Sequence, residues 1–245
     1  MVRAGDRPTD STVRLAVDPC APSPHAIAMA TSLLRRGGLV AFPTDTLYAL
    51  ATDATNPLAL RRLFTAKGRG AANPIPLLVA DVAMATRMVG DLPHLASRLA
   101  KHYWPGPLTL LLSAPAGTSR LVTGGTGQVG LRVPDSPLAL ALILRLGRAV
   151  TGTSANRSGG ADPLDADEVL RQLGNRVNLV LDGGPVPLGG PSTVLDVTVS
   201  PPVLIRKGIV SQEEIFRVLA GHSRSRKTRG PNRDATKAFG KRVKI

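Results

Sequence analysis

Cysteine, aromatic residues and long apolar runs are all scarce in this chain of 245 residues. The single cysteine, Cys20, excludes an internal disulfide and favours a reducing compartment such as the cytoplasm. Aromatic residues make up only 3% of the chain, so its core must consist of leucine, valine, alanine and isoleucine. The best apolar run, residues 138–144, ends at Arg145, well short of the roughly 20 residues of a membrane helix. Because no signal peptide is recognisable either, we expect a cytoplasmic protein without membrane contact.

Several signatures of catalysis and of metal binding are missing too. The sequence has no GxxxxGK[ST] phosphate loop and no GxSxG nucleophile elbow. Its four histidines are scattered without zinc-ligand spacing, so no protein-bound structural metal is expected. Residues 125–130 match GxGxxG literally, but the residues that follow are strand-like, which favours a loop over a dinucleotide site. A covalent or metal-dependent protein mechanism is therefore disfavoured.

Positive charge is abundant and unevenly distributed. The formal net charge is +14, of which residues 221–245 carry +8, with nine lysines and arginines against one acid. This stretch has few apolar residues and is predicted to be a disordered tail. The charge has two interpretations that stay open: a solvated tail, or an electrostatic contact with RNA or another polyanion.

Apolar stretches and capping residues predict strands and helices that largely alternate along the chain. Residues 39–42 predict a buried strand, and Asn56-Pro57 begins a helix that reaches Lys67. Residues 75–80 predict a strand that Pro76 pushes towards the edge of a sheet. Some strands follow strands directly, so we expect one α/β domain with a mixed sheet. Further helix starts are predicted at Ser136, Asp165 and Ser211.

Polar clusters recur just past the predicted strand ends, where open α/β sheets bind ligands. Lys67 and Arg69, with glycines between and after them, suit a polyphosphate, although cations are also favoured at any helix C-terminus. Arg132 lies among apolar residues and needs an anionic partner, which is either a structural ion pair or a ligand carboxylate. Ser154 and Asn156 fit either a turn or a ligand loop. Such a site has few side chains that could act as general acids or bases, and it suits nucleotidyl or phosphoryl transfer.

Six segments resemble, in order, the YrdC-like family of threonylcarbamoyl-AMP synthases: FPTDTLYALATDA, KGRGAANPIPLLVAD, WPGPLTLLL, VGLRVPDSP, TGTSANRSGG and STVLDV…VLIRKG. The resemblance covers roughly residues 22–218. It implies a single domain over residues 22–220, with a twisted mixed parallel and antiparallel sheet, flanking helices and a concave basic face. Residues 1–21 are then a lead-in segment, and residues 221–245 are the basic tail.

The resemblance also implies a reaction. L-threonine, bicarbonate or CO2, and ATP would give threonylcarbamoyl-adenylate and pyrophosphate, with Mg2+ accompanying the nucleotide. Downstream proteins would then use the product to modify tRNA. Two alternatives stay open: a protein of this fold that binds RNA or assists ribosome maturation without synthase activity, and a relative that acts on carbamoyl phosphate.

Site residues follow from the same resemblance. Lys67 and Arg69 would be catalytic and face the ATP phosphates. The threonine site would comprise Thr44, Tyr48, Arg132 and Ser192, with Arg132 holding the carboxylate. The remaining nucleotide contacts would come from Ser154, Asn156 and Arg206.

The chain departs from the family pattern at a few positions. Ala49 stands where glycine is usual, and Gly70 stands where proline is common. The archaeal and two-domain members carry a histidine near Leu78, and this chain does not, so we expect it to resemble the short, single-domain branch rather than the members with a second domain.

Overall fold

The computed structural model describes residues 11–221, which form eleven strands and eight α-helices. Most of the predicted lead-in, residues 1–10, and all but the first residue of the predicted tail lie outside the described residues. The strands are β1 (Val13–Ala16), β2 (Val40–Pro43), β3 (Tyr48–Ala51), β4 (Leu77–Leu78), β5 (Leu108–Ser113), β6 (Gln128–Arg132), β7 (Val150–Thr151), β8 (Thr153–Ser154), β9 (Leu179–Asp182), β10 (Thr193–Asp196) and β11 (Val203–Arg206). The helices are α1 (Pro24–Arg35), α2 (Pro57–Lys67), α3 (Val82–Val89), α4 (His94–Tyr103), α5 (Arg120–Thr123), α6 (Pro137–Leu146), α7 (Ala166–Leu173) and α8 (Gln212–Leu219).

The described strands form two mixed sheets. One sheet has the order β1-β9-β2-β3-β8, and the other has the order β11-β10-β5-β6-β4-β7. Parallel pairs such as β1 with β9 and β4 with β6 stand beside antiparallel pairs such as β2 with β3 and β5 with β6. The predicted mixed α/β fold with flanking helices is therefore confirmed, with the strands divided between two sheets.

Helix boundaries follow from local capping chemistry. Asn56 accepts hydrogen bonds from the N–H groups of Leu58 and Ala59, and Pro57 occupies the first turn, where its missing N–H costs nothing. Gly68 ends the same helix in the left-handed conformation, at φ 62°. The helix starts predicted at the other three capping residues are confirmed, and the serine before α8 forms a full capping box with Glu214.

Two sequence predictions about short segments have clear outcomes. The prediction that Pro76 puts its strand at an edge is wrong, because β4 lies between β6 and β7. Ladder pairing begins one residue later, at Leu77, so the missing proline N–H is not needed, while the Pro76 carbonyl accepts from the N–H of Gly152 at 2.8 Å. Residues 124–127 are a loop before β6, as predicted for the GxGxxG match.

The core is aliphatic, as the composition predicted. Leucine, valine and alanine dominate the buried side chains, with few aromatics such as Phe42, Tyr48 and Trp104 among them. The chain crosses from one sheet to the other between β7 and β8, at Gly152, where a Cβ atom would lie 2.6 Å from Cγ of Leu78. Within residues 11–221 no helix is long and apolar enough to cross a membrane.

Candidate active site

A cavity of about 310 Å3 is lined by residues from both sheets. Its floor is one face of the six-stranded sheet, where the register aligns side chains from neighbouring strands. Leu78 of β4 pairs with Arg132 of β6, and Thr109 of β5 pairs with Val194 of β10, which pairs with Arg206 of β11. The antiparallel ladder pairs Leu110 of β5 with Leu131 of β6, and continuing this register by one residue puts Thr109 opposite Arg132. All five residues line the cavity, so basic groups stand at the second position of the row, Arg132, and at its end, Arg206.

The turn between β2 and β3 supplies another wall of the cavity. Arg132 donates to the hydroxyl of Thr46 at 2.8 Å, and the hydroxyls of Thr46 and Thr44 lie 3.0 Å apart. Thr44 donates to the carbonyl of Leu47 at 2.7 Å, so its single hydrogen is used and Thr46 must donate to Thr44. The two threonines therefore form a directed chain of hydrogen bonds that ties the turn to Arg132.

Arg132 is held by three protein acceptors. Besides Thr46, its Nε donates to the carbonyl of Gly106 at 2.9 Å, and its Nη2 forms an ion pair with the carboxylate of Asp45. Arg132 and Asp45 are only 6% and 5% exposed. A guanidinium has five N–H donors, and protein atoms within residues 11–221 take three, which leaves one on each terminal nitrogen. Both interpretations of Arg132 therefore remain compatible: it has a structural partner and also keeps one N–H on each terminal nitrogen for a ligand.

Burial has opposite effects on the two ions of this pair. It raises the pKa of Asp45 above the ordinary aspartate value, and Arg132 acts against that rise. It lowers the pKa of Arg132, and Asp45 acts against that fall. The second carboxylate oxygen of Asp45, Oδ2, is buried and has no hydrogen-bond partner within residues 11–221. Each ion therefore depends on the other for compensation of its buried charge.

Ser192 and Arg206 meet at the far end of the floor. Arg206 donates to the Ser192 carbonyl from Nη2 at 2.8 Å and to the Ser192 hydroxyl at 3.0 Å. The Ser192 hydroxyl lies 2.9 Å from that of Thr109. Partial desolvation lowers the pKa of Arg206, with Asp162 opposing this and Arg69 adding to it.

Lys67 lies behind the cavity lining rather than in it. Its side chain is 2% exposed, and its ammonium donates to the carbonyls of Ser154 and Asn156 at 2.5 and 2.6 Å and to Oδ1 of Asn156 at 3.2 Å. These three bonds use all three ammonium hydrogens. Burial lowers the pKa of Lys67 to about 7, and Arg69 adds to the effect.

Asn156 organises the loop after β8. Its amide donates to the carbonyls of Gly160 and Ala161 at 2.9 and 3.0 Å, and its Oδ1 accepts from the Ser154 hydroxyl at 2.7 Å as well as from Lys67. Asn156 is buried, so it supports the loop from behind, while Ser154 lines the cavity.

Arg69 and Tyr48 are anchored differently. Arg69 donates to the carbonyls of Asn73 and Pro74 and still lines the cavity. The Tyr48 hydroxyl donates to the carbonyl of Gly184 at 2.8 Å, and burial raises its pKa, with Asp182 adding to the rise. The Tyr48 hydroxyl is thus committed to the loop after β9.

Seven of the nine residues predicted for the site line the cavity, and Lys67 and Asn156 lie behind it. The lining carries three arginines and one carboxylate, Asp162, so the cavity is net basic. Thr46 lies in the polar cluster at residues 44–46, just past a predicted strand end, although the prediction gave it no separate role. Thr109 and Asp162 were not predicted as lining residues; Thr109 lies inside an apolar strand, where a threonine gives no signal.

Carboxylates and histidines do not cluster into a metal centre in the described part of the chain. Residues 11–221 contain no group of three or more His, Cys, Asp or Glu side chains that could hold a metal ion. Asp45 has an unpartnered oxygen, but the Arg132 cation beside it opposes binding of a second cation there.

Comparison with known proteins agrees with this arrangement of motifs. A family model named Sua5_yciO_yrdC and described as "Telomere recombination" matches residues 32–208. The chain belongs to the Sua5/YciO/YrdC family. It is 42% identical over 194 residues to a Bacillus subtilis protein named threonylcarbamoyl-AMP synthase, which covers 79% of this chain and 56% of that relative. A relative from Mycobacterium tuberculosis is 36% identical over 195 residues, covering 80% of this chain and 89% of that protein.

Among solved structures, the fold is similar to P. abyssi Sua5 complexed with L-threonine. That similarity has a TM-score of 0.82 and 38% sequence identity, covering 85% of this chain and 61% of that one. The chain thus spans a little over half the length of the Bacillus and Pyrococcus proteins of this family that it matches.

Proposed function

We propose that this chain is a threonylcarbamoyl-AMP synthase, a nucleotidyltransferase that joins L-threonine, bicarbonate or CO2, and ATP. The observation that carries the proposal is the buried Arg132 guanidinium, which keeps one N–H on each terminal nitrogen for a ligand, in a net basic cavity. A guanidinium suits recognition of a carboxylate. Support comes from the P. abyssi Sua5 structure, which contains L-threonine, and from relatives named threonylcarbamoyl-AMP synthase.

The reaction consists of two bond-forming steps. The amino nitrogen of threonine, as the free amine, bonds to the carbon of CO2, loses one N–H proton to solvent and yields a carbamate; bicarbonate reaches the same carbamate with loss of water. A carbamate oxygen then attacks the α-phosphorus of ATP. The bond from that phosphorus to the bridging oxygen breaks, and pyrophosphate leaves with the electron pair. The site's main tasks are positioning and charge stabilisation.

Each residue group has a distinct role in this proposal. Arg132 and Ser192 hold threonine, and Thr44 and Tyr48 shape its pocket through the turn and the strand that follows. Arg69 and Lys67 are the catalytic cations, since they stabilise the phosphate charge that develops as pyrophosphate leaves. The nucleotide is positioned by Ser154, Asn156 and Arg206.

Lys67 serves the phosphates at short range from behind the lining. It fixes the carbonyls of Ser154 and Asn156, which turns the loop after β8 towards the cavity. The negative phosphates would favour the protonated form of Lys67 against the effect of burial, and in a low-dielectric setting that charge acts over a distance that water would screen.

Magnesium is expected to arrive with the nucleotide. When bound, Mg2+ neutralises charge on the transferring phosphates, and it takes most of its ligands from phosphates and water. Asp162, the carboxylate of the cavity lining, is the residue that would bind this Mg2+ from the protein side. No protein-bound structural metal is expected.

The product is a reactive mixed anhydride, so we expect downstream tRNA-modification proteins as partners.

The second hypothesis, an RNA-binding protein without synthase activity, rests on residues 221–245 and their possible RNA contact. Nearly all of these residues lie outside the described ones. No structural observation therefore favours it over the synthase.

The test is pyrophosphate release by the purified chain. Release should require ATP, L-threonine and bicarbonate together, and both Arg69→Gln and Lys67→Ala should reduce it strongly. Arg87→Gln, which alters an exposed arginine on α3, is the matched control and should have no effect. Release that ignores threonine, or none in a protein that still binds RNA in a salt-dependent way, would rule out the synthase.

A further inference from the structure

The loop after β8 is held by hydrogen bonds from two sides. On the inner side, the amide of Asn156 donates to the carbonyls of Gly160 and Ala161. On the outer side, Gln172 of α7 accepts from the backbone N–H of Arg157 at 3.0 Å and donates to the carbonyl of Ala161 at 2.8 Å. The Ala161 carbonyl therefore accepts from both side chains, and the loop is fixed between them.

Gly160 lies at the point where Gln172 approaches the loop. A Cβ atom at this position would lie 2.2 Å from Oε1 of Gln172, which leaves no room for a side chain. The backbone of Gly160 is not in the left-handed region, so its conformation alone does not require glycine. The close approach of Gln172 is the feature that does.

The amide of Gln172 has one orientation that satisfies its neighbours. Its Nε2 also donates to the carboxylate of Glu168, one turn earlier on α7, and a carboxylate accepts hydrogen bonds only. Glu168 and Ala161 then take both amide hydrogens, which leaves Oε1 for the N–H of Arg157. Arg171 pairs with the same carboxylate. The side chains of α7 therefore set the direction of each bond between Gln172 and the loop.

The same loop reaches the residues proposed to serve the nucleotide. Because both of its amide hydrogens bind the loop, Asn156 turns Oδ1 towards the Ser154 hydroxyl and the Lys67 ammonium. The N–H of Ser158 donates to the Lys67 carbonyl at 2.9 Å, which joins the loop to the end of α2. Gln172 does not line the cavity, so any effect it has on a reaction there must pass through the loop.

We propose that Gln172 is a positioning residue: it fixes the loop after β8 so that Asn156 and Lys67 keep the geometry that the nucleotide needs. The inference rests on the proposed function and deepens it, because it adds a residue outside the cavity that controls the nucleotide side of the site. The threonine side should be independent of it, since Arg132 and Ser192 make their hydrogen bonds elsewhere.

Gln172→Met tests the proposal, because it removes all three hydrogen bonds and nearly keeps the length of the side chain. In pyrophosphate release, the KM for ATP should rise and kcat should fall, so that kcat/KM for ATP drops about 10- to 100-fold, the range expected for a displaced site residue. The KM for L-threonine should stay within about twofold of the wild-type value. Partial unfolding would instead lower kcat and leave both KM values unchanged, and that result would overturn the proposal.

Gly160→Ala should reproduce this defect without changing Gln172, because the added Cβ displaces its amide. In a Gln172→Ala background the clash is absent, so Gly160→Ala should then change kcat/KM for ATP by at most about twofold. Its full effect in that background would contradict the contact as the cause. Gln212→Met, at an exposed glutamine on α8, is the matched control and should leave all kinetic constants unchanged.

Hydrogen exchange tests the contact without any substrate. Gln172→Met should accelerate exchange at the amides of Arg157 and Ser158 and leave α6 unchanged, whereas Gln212→Met should alter neither. Exchange as slow as in the wild type, or faster exchange with unchanged kinetics for ATP, would overturn this inference and leave the synthase standing. A wild type without threonine-dependent pyrophosphate release would overturn the proposed function as well.

Discussion

Arg132 and Asp45 form a buried ion pair across 87 residues of sequence, joining the end of β6 to the turn after β2. The pair leaves one N–H on each terminal nitrogen of Arg132 unused, and the same guanidinium holds the chain of hydroxyls through Thr46 and Thr44. One ion pair thus ties the turn to the guanidinium. The free energy of folding and ligand recognition therefore depend on the same contact.

Asp45→Asn should destabilise the protein by about 3 kcal/mol, because it leaves the Arg132 charge buried without a counterion. Urea unfolding at neutral pH measures this change. The KM for threonine should rise as well, since the guanidinium loses the group that orients it.

Asp167→Asn is the matched control for this prediction. Its carboxylate pairs with Arg14 on the surface, where the two side chains are 76% and 43% exposed. That substitution should cost less than about 1 kcal/mol. Equal losses from the two variants would contradict the role given to the buried pair.

The sequence predicted those features whose cause is local. Helix starts at Asn56 and Ser136 follow from side chains that cap N–H groups two or three residues away, so they were readable directly. The two-residue strands β4, β7 and β8 are too short to show any periodicity, and their pairing depends on distant partners.

The predicted site residues were largely brought together, but their geometry could not be read from the sequence. Lys67 follows a helix, and its position alone suggests an ammonium pointing at a ligand. Its actual acceptors lie 87 and 89 residues further along the chain, at Ser154 and Asn156. Contacts between residues so far apart cannot be read from the local sequence pattern. Lys67 was therefore predicted as a site residue, but the direction of its ammonium group was not.

The lowered pKa of Lys67 predicts a specific dependence of stability on pH. With a folded-state pKa of about 7 and an ordinary value of 10.5, the unfolded chain binds a proton between these pH values that the folded chain does not. Stability therefore rises with pH across this window. Relative to Lys67→Met, the wild-type free energy of unfolding should increase by up to about 1.4 kcal/mol per pH unit from pH 7 to 10.

Urea unfolding of both proteins at pH 7, 8 and 9 tests the sign. Lys101→Met alters an exposed lysine on α4 and should follow the wild type across the series. A stability difference between wild type and Lys67→Met that stays constant from pH 7 to 9 would show that the ammonium keeps its proton in the folded state.

Asn156→Ala should loosen the loop after β8. The amide joins Gly160 and Ala161 to Ser154 and Lys67, so its loss leaves buried groups without partners, at about 1–3 kcal/mol. Hydrogen exchange should accelerate at residues 157–161 and stay unchanged in α6. Asn175→Ala, at an exposed asparagine, should have no such effect.

Gly70→Ala should stabilise the protein by about 0.4–1 kcal/mol, because alanine restricts the unfolded chain. The backbone of Gly70 is not in the left-handed region, and the nearest neighbour of an added Cβ is Asn73 Nδ2 at 3.5 Å, an ordinary contact. Gly68→Ala, two residues earlier, should do the opposite: there is space for its Cβ, but its φ of 62° costs an L-residue about 1–2 kcal/mol. Because both sites have room, urea unfolding of the two variants isolates backbone conformation as the cause. A shift of the same sign in both would refute this account of the loop that carries Arg69.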